Sequence, residues 1–82
     1  MLEDKLKEII HECSQHVEVE QINRESNLIE DFGYGSMNFI QLVAEVELQF
    51  NIEVDEDDLL LDRLSNFGTL LQMIERKISH KV

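Results

Sequence analysis

Apolar residues in this chain recur at helical spacing in three separate runs and at strand spacing in only one short stretch, which rules out a sheet-based fold. Leu2, Leu6, Ile9, Ile10 and Cys13 fall at i, i+4, i+7, i+8 and i+11. They predict an amphipathic helix over residues 2–15, with Glu3 and Lys7 spaced as an i,i+4 pair. Phe39, Ile40, Val43, Val46 and Phe50 predict a second helix over 37–49 and its core face. Phe67, Leu70, Leu71, Ile74 and Ile78 mark the stripe of a last helix, capped by Ser65 or Asn66 and closed by Arg76, Lys77 and Lys81 at its negative end. The alternating stretch, Val17-Glu18-Val19, has no second strand-like run to pair with. The expected class is therefore all-α: a small up-and-down four-helix bundle with a long first loop over 16–35 and a short third helix. Ile22, Leu28, Ile29 and Phe32 are expected to plug that loop into the core, as Ile52 and Val54 do for the later connection. Asp55 is the expected N-cap of the short helix. Gly68, in the first turn of the last helix, costs about 1 kcal/mol against Ala, with no visible reason for it.

The long loop ends in Asp31-Phe32-Gly33-Tyr34-Gly35-Ser36-Met37. Gly33 and Gly35 both tolerate positive φ, and Ser36 stands where the second helix begins. The expectation is that Ser36 is the N-cap and presents its hydroxyl at the positive end of the helix, a place that suits a phosphate. On this pattern alone the plain-cap reading of Ser36 comes first, since such caps are common.

The 82 residues are expected to form one domain, 1–82, with a formal charge of −11. No Lys or Arg occurs between Arg24 and Arg63, an interval that contains most of the acids, so nucleic acid is not an expected partner. That acidic face is either plain solvated surface or a guide for basic partner proteins. Cys13 is the only cysteine, so no intramolecular disulfide forms and a reducing compartment is expected. No run is long and apolar enough for a membrane span, and Met1-Leu2-Glu3-Asp4-Lys5 does not resemble a signal peptide, so the expected location is cytoplasmic.

Two clusters could suggest a metal, and neither completes a site. His11, Cys13 and His16 lack a fourth zinc ligand. Asn51, Glu53, Asp55 and Asp62 occupy calcium-loop positions, but Glu56 stands where the EF-hand turn needs Gly. Catalysis is not expected either: Gly35-Ser36-Met37 does not complete a nucleophile elbow, and His11, His16 and His80 lie in the first helix, the first loop and the tail.

Asp31-x-Gly33-x-Gly35-Ser36-Met37, followed by an apolar helix that ends in Glu47-Leu48-Gln49-Phe50-Asn51-Ile52-Glu53-Val54, resembles the acyl carrier protein family, peptidyl carriers included. The likeness runs from about Leu2 to Ile78. Gly35 stands where many members have Asp, and Met37 where they have Leu; carriers of peptide-assembly lines vary before the serine, so Gly35 bears on the cargo more than on the carrier role. The resemblance implies a monomeric, non-catalytic protein with 4′-phosphopantetheine on Ser36. A phosphopantetheinyl transferase would move that group from coenzyme A in a magnesium-dependent step. The arm's thiol would hold acyl or aminoacyl cargo as thioesters for fatty-acid, polyketide or nonribosomal peptide biosynthesis. The second helix would then be the recognition element for loading and processing enzymes with basic docking surfaces. Its expected docking residues are Met37, Gln41, Ala44 and Glu45, an exposed Met being adaptable to several partners, although Met37 could instead cover a gap in the core. The alternative is a small acidic adaptor or calcium-binding module in which Ser36 is only a helix cap.

Overall fold

The computed structural model describes residues 2–14, 17–55 and 59–79. Among them the chain forms α1 (Leu2–Cys13), a 3₁₀ turn (Val19–Gln21), α2 (Leu28–Phe32), α3 (Ser36–Phe50), α4 (Leu61–Leu64) and α5 (Phe67–Ser79). No strand forms among these residues; the one extended pairing is an isolated bridge between Asn27 and Asn66. The all-α class, the long first connection and the short helix before the last one are as the periodicity predicts. The bundle is held by Leu6, Ile9 and Ile10 of α1, Phe39, Leu42 and Val46 of α3, and Phe67, Leu70, Leu71, Met73 and Ile74 of α5, all buried.

Several local expectations are corrected. α1 ends at Cys13 rather than at 15. Within the first loop, where no strand was expected, Val19 opens a 3₁₀ turn, and Val17 and Ile22 are buried on either side of it. The first loop contains a helix, α2, too short for hydrophobic periodicity to reveal. It is made by its ends: Asn27 Oδ1 accepts from the Ile29 and Glu30 N–H groups, each at 2.9 Å, and Asp31 returns the favour to the Asn27 N–H at 2.8 Å. Gly33, at φ 70°, stops it in the left-handed region where glycine meets no steric penalty. Leu28 plugs the core as expected, but Ile29 faces outward at 40% exposure.

On α3 the core line is Phe39, Leu42 and Val46, with Val43 and Phe50 half-buried at its edges. Ile40, expected in the core, is 62% exposed because one residue past Phe39 turns the side chain by about 100°, beyond the edge of that line. Ile78 likewise falls outside the packed part of α5. Asp55 does not cap α4, which begins at Leu61; its carboxylate pairs with Lys77 Nζ at 3.0 Å, and the residues that follow it, 56–58, lie outside the described residues. Asn51, read as a possible calcium ligand, ends α3 in the left-handed conformation at φ 54°. The rest of that calcium register includes residues 56–58, outside the described residues.

The reason for Gly68 lies in how the first loop meets α5. The Phe67 N–H donates to the Ser26 carbonyl at 3.0 Å and the Gly68 N–H to the Arg24 carbonyl at 3.1 Å. Leu28 N–H returns a bond to the Ser65 carbonyl at 2.6 Å, and Asn66 Oδ1 takes the Thr69 N–H at 2.9 Å, so Asn66 is the cap. The loop thus satisfies donors that the start of a helix leaves open. A Cβ on Gly68 would stand 2.7 Å from the Arg24 carbonyl oxygen. Overpacking of this kind costs about 1–3 kcal/mol against about 1 kcal/mol of helix propensity gained, so Gly68→Ala is expected to lose a net ~1 kcal/mol. The readout is a lower urea midpoint at unchanged slope; a raised midpoint would mean that the loop yields freely.

Candidate functional site: the turn before the long helix

Ser36 is exposed and is the first residue of a 15-residue helix, and the N-cap is Gly35. This corrects the expectation that Ser36 caps α3. Gly35 also departs from expectation in its backbone: φ −108° and ψ −178° are extended values open to any residue, so only Gly33 uses positive φ. Because Gly35 has no side chain, capping comes from the other direction, with Asn38 Oδ1 accepting the Gly35 N–H at 2.9 Å. The Ser36 hydroxyl joins no hydrogen bond among the described residues. The N–H groups of Ser36, Met37 and Asn38 have no intrahelical partner, and the first turn of α3 contains no acid. A nucleophilic oxygen therefore stands in water at the positive end of a long dipole.

The turn is held from both sides by the end of α1. Tyr34 is buried, donates its hydroxyl to the Ile10 carbonyl at 2.6 Å and sets its ring edge-on to Phe39 with centroids 5.2 Å apart. Asn38 Nδ2 donates to the Cys13 carbonyl at 2.9 Å, so one side chain caps α3 and ties it to α1. Sequence reasoning passed over Tyr34 and Asn38; an aromatic with a polar tip beside the serine, and an amide three residues past Gly35, were the available signals.

Burial, with a smaller contribution from the Cys13 thiol, raises the Tyr34 phenol well above its ordinary value. A phenol that holds its proton more tightly when folded makes stability fall with pH above the ordinary value of about 10, where the unfolded chain ionises first. Tyr34→Phe is expected to cost about 1 kcal/mol at neutral pH through the lost hydrogen bond, and to remove that alkaline loss. Urea midpoints at neutral and alkaline pH measure both; identical pH profiles for the two proteins would refute the assignment.

Of the expected docking residues, Met37, Gln41 and Ala44 are exposed and Glu45 is half-buried. Met37, at 71% exposure, covers no gap in the core. Gln41, Ala44 and Glu45 line a shallow groove of about 280 Å³ with Glu12 and Cys13, and Met37 lies apart from it. Burial, then Glu45 and Glu12, push the Cys13 thiol up, so it stays protonated and a poor nucleophile. His11 donates from Nδ1 to the Val17 carbonyl, and His16 lies outside the described residues. Among the described residues no group of three or more His, Cys, Asp or Glu is placed to hold a metal ion, and no helix is long and apolar enough to cross a membrane.

Comparison with known proteins agrees with this geometry. A family model described as a phosphopantetheine attachment site matches residues 4–74. An acyl carrier protein of Thermotoga maritima is 35% identical over 74 residues, 90% of this chain and 88% of the relative. One from Desulforapulum autotrophicum is 30% identical over 76 residues, 93% and 96% of the two chains, and one from Wolinella succinogenes is 31% identical over 72 residues, 88% and 91%. The group held by such a domain is 4′-phosphopantetheine, and an exposed hydroxyl with no competing hydrogen bond, at a helix start free of carboxylates, fits a phosphodiester link to it. With the match spanning nearly all of its helices, the chain belongs to the acyl carrier protein family, the proteins built around a phosphopantetheine attachment site.

Proposed function

We propose that Ser36 is the attachment residue and that the chain carries acyl or aminoacyl intermediates between enzymes of fatty-acid, polyketide or nonribosomal peptide biosynthesis. The observation that carries this reading is the Ser36 hydroxyl itself, exposed and without a hydrogen bond among the described residues at the start of α3, on a turn tied to α1. A phosphopantetheinyl transferase would use coenzyme A as donor and Ser36 Oγ as acceptor. The attached group supplies a terminal thiol that holds cargo as a thioester. The residues of this chain contribute presentation: Tyr34 and Asn38 fix the turn, the open N–H groups favour the phosphate, and tethering raises the cargo's local concentration at each partner. Met37, Gln41, Ala44 and Glu45 form the docking face for the transferase and the loading and processing enzymes. The carrier works as a cytoplasmic monomer, residues 1–82 forming one domain, with no catalysis of its own.

In the alternative, an acidic adaptor or calcium-binding module in which Ser36 only helps to start the helix, Ser36 Oγ would accept nothing from coenzyme A. Intact mass after incubation with coenzyme A and a broad-specificity transferase tests the proposal. The expected result is the gain of one phosphopantetheine; no gain with any of several transferases overturns it.

A further inference from the structure

Asn38 both closes the start of α3 and fastens it to another helix, and the two contacts differ in what they do for Ser36. Asn38 Oδ1 accepts the Gly35 N–H at 2.9 Å, closing a ring that contains Ser36 and Met37. Asn38 Nδ2 donates to the Cys13 carbonyl, also at 2.9 Å, across 25 positions of the chain. One contact needs an acceptor and the other a donor. A carboxamide supplies both on one rigid plane, whereas a carboxylate only accepts, an ammonium only donates, and a hydroxyl would serve both partners from a single atom. The residue is half-buried, so both bonds are partly shielded from competing water.

The ring is internal to the first turn of α3 and travels with it. The bond to Cys13 is not: it reaches α1, and it stands downstream of Ser36 as the Tyr34 bond to the Ile10 carbonyl stands upstream. Ile10 and Cys13 are about one helical turn apart, so the serine is held between two pins on one rigid element. Resting on the reading of Ser36 as the attachment residue, we propose that Asn38 is a positioning residue for phosphopantetheine transfer. Its bond to the Cys13 carbonyl, not its cap, fixes where Ser36 Oγ stands. The transfer demands such placement. Ser36 Oγ loses its proton to a base of the transferase and forms a P–O bond, in line with the pyrophosphate bond that breaks to release the adenosine bisphosphate of coenzyme A. Displacement of a reacting atom by about 1 Å costs such a step up to about a hundredfold. A serine on a helix start that is capped but untethered keeps its fold and its docking residues and loses its place.

The test separates the tether from the cap. Gly35 has an extended backbone open to any residue, and a Cβ there meets nothing closer than Asn38 Oδ1 at 3.8 Å, so Gly35→Asn can cap α3 from the other side. The substrates are the wild type, Gly35→Asn, Asn38→Ala and Gly35→Asn/Asn38→Ala. Each is followed by intact mass in a single turnover with coenzyme A and excess broad-specificity transferase, and by urea unfolding. Asn38→Ala is expected to lower the urea midpoint and to slow the saturated rate about tenfold. The transferase concentration that gives half of that rate is expected to stay within about twofold of wild type. Gly35→Asn/Asn38→Ala is expected to regain the midpoint while its saturated rate stays about tenfold below that of Gly35→Asn. Recovery of the rate together with the midpoint overturns the proposal, since the cap alone would then suffice. A wild-type saturated rate in Asn38→Ala overturns it too, as does a loss confined to the half-saturating concentration, which would make Asn38 a docking residue. A wild type that gains no mass overturns the attachment reading, and this proposal with it.

Discussion

Ser36→Ala is expected to gain no mass with coenzyme A and a transferase under conditions that convert the wild type completely. The expectation is all-or-none because the other hydroxyls are unsuited to the step. Ser26 is buried and its Oγ accepts the Asn23 N–H at 2.9 Å; Ser65 is buried as well. Thr69 Oγ1 donates to Asn66 Oδ1 at 3.1 Å, and the Tyr34 hydroxyl is committed to Ile10. Ser14 and Ser79 lie at the C-terminal ends of α1 and α5, where the partial negative charge of the dipole repels a phosphate. Among the described residues only Ser36 combines exposure, a hydroxyl without a hydrogen bond and the positive end of a long helix. The measurement is intact mass, with peptide mapping of any product. Modification of Ser36→Ala at wild-type extent would place the attachment elsewhere and remove the basis of the carrier reading.

Leu42→Asp is expected to abolish the fold, while Ile40→Asp, two residues away, leaves it intact. Leu42 is completely buried, and truncating such a leucine costs about 2–5 kcal/mol before any charge is considered. An unpaired carboxylate in the same place adds several kcal/mol more, or is driven to stay protonated. Together these match or exceed the roughly 5–15 kcal/mol that stabilises ordinary domains, and a chain of 82 residues has a modest core to draw on. Ile40 is mostly in water, so its replacement should stay within about 0.5 kcal/mol of neutral. Val43→Asp, at a half-buried position, should fall between the two. Circular dichroism and thermal melts of the three variants decide the matter. A cooperative melt for Leu42→Asp would show that α3 is held by something other than its inner face.

These contrasts also show what the sequence could and could not reveal. α1 and α5 were legible because each has an unbroken apolar stripe and one packed side. α3 was legible as a helix and in its orientation, except at the edges of its inner face: with Met37, Phe39, Ile40, Leu42, Val43, Val46, Leu48 and Phe50 in one run, periodicity put Ile40 inside and left out Leu42, where the structure does the reverse. α2 escaped notice because five residues give no period, though Asn27 and Gly33 mark its two ends. The serine was legible as a helix start, one position out, since a Gly-Ser pair leaves the cap undecided between two good candidates. Gly68 had no account in the sequence because its reason is the Arg24 carbonyl, 44 positions earlier in the numbering and adjacent only after folding.

The footing beneath the serine consists of main-chain oxygens. Tyr34 and Asn38 reach the carbonyls of Ile10 and Cys13, not their side chains. Substitutions at either position can therefore preserve the support so long as α1 stays wound through its final turn. The vulnerable quantity is length: a helix that frayed one turn early would swing both acceptors away, stranding a buried phenol hydroxyl without a partner and loosening the far end of a different helix. In this design the number of turns in α1, more than the identity of its last residues, sets where the serine stands.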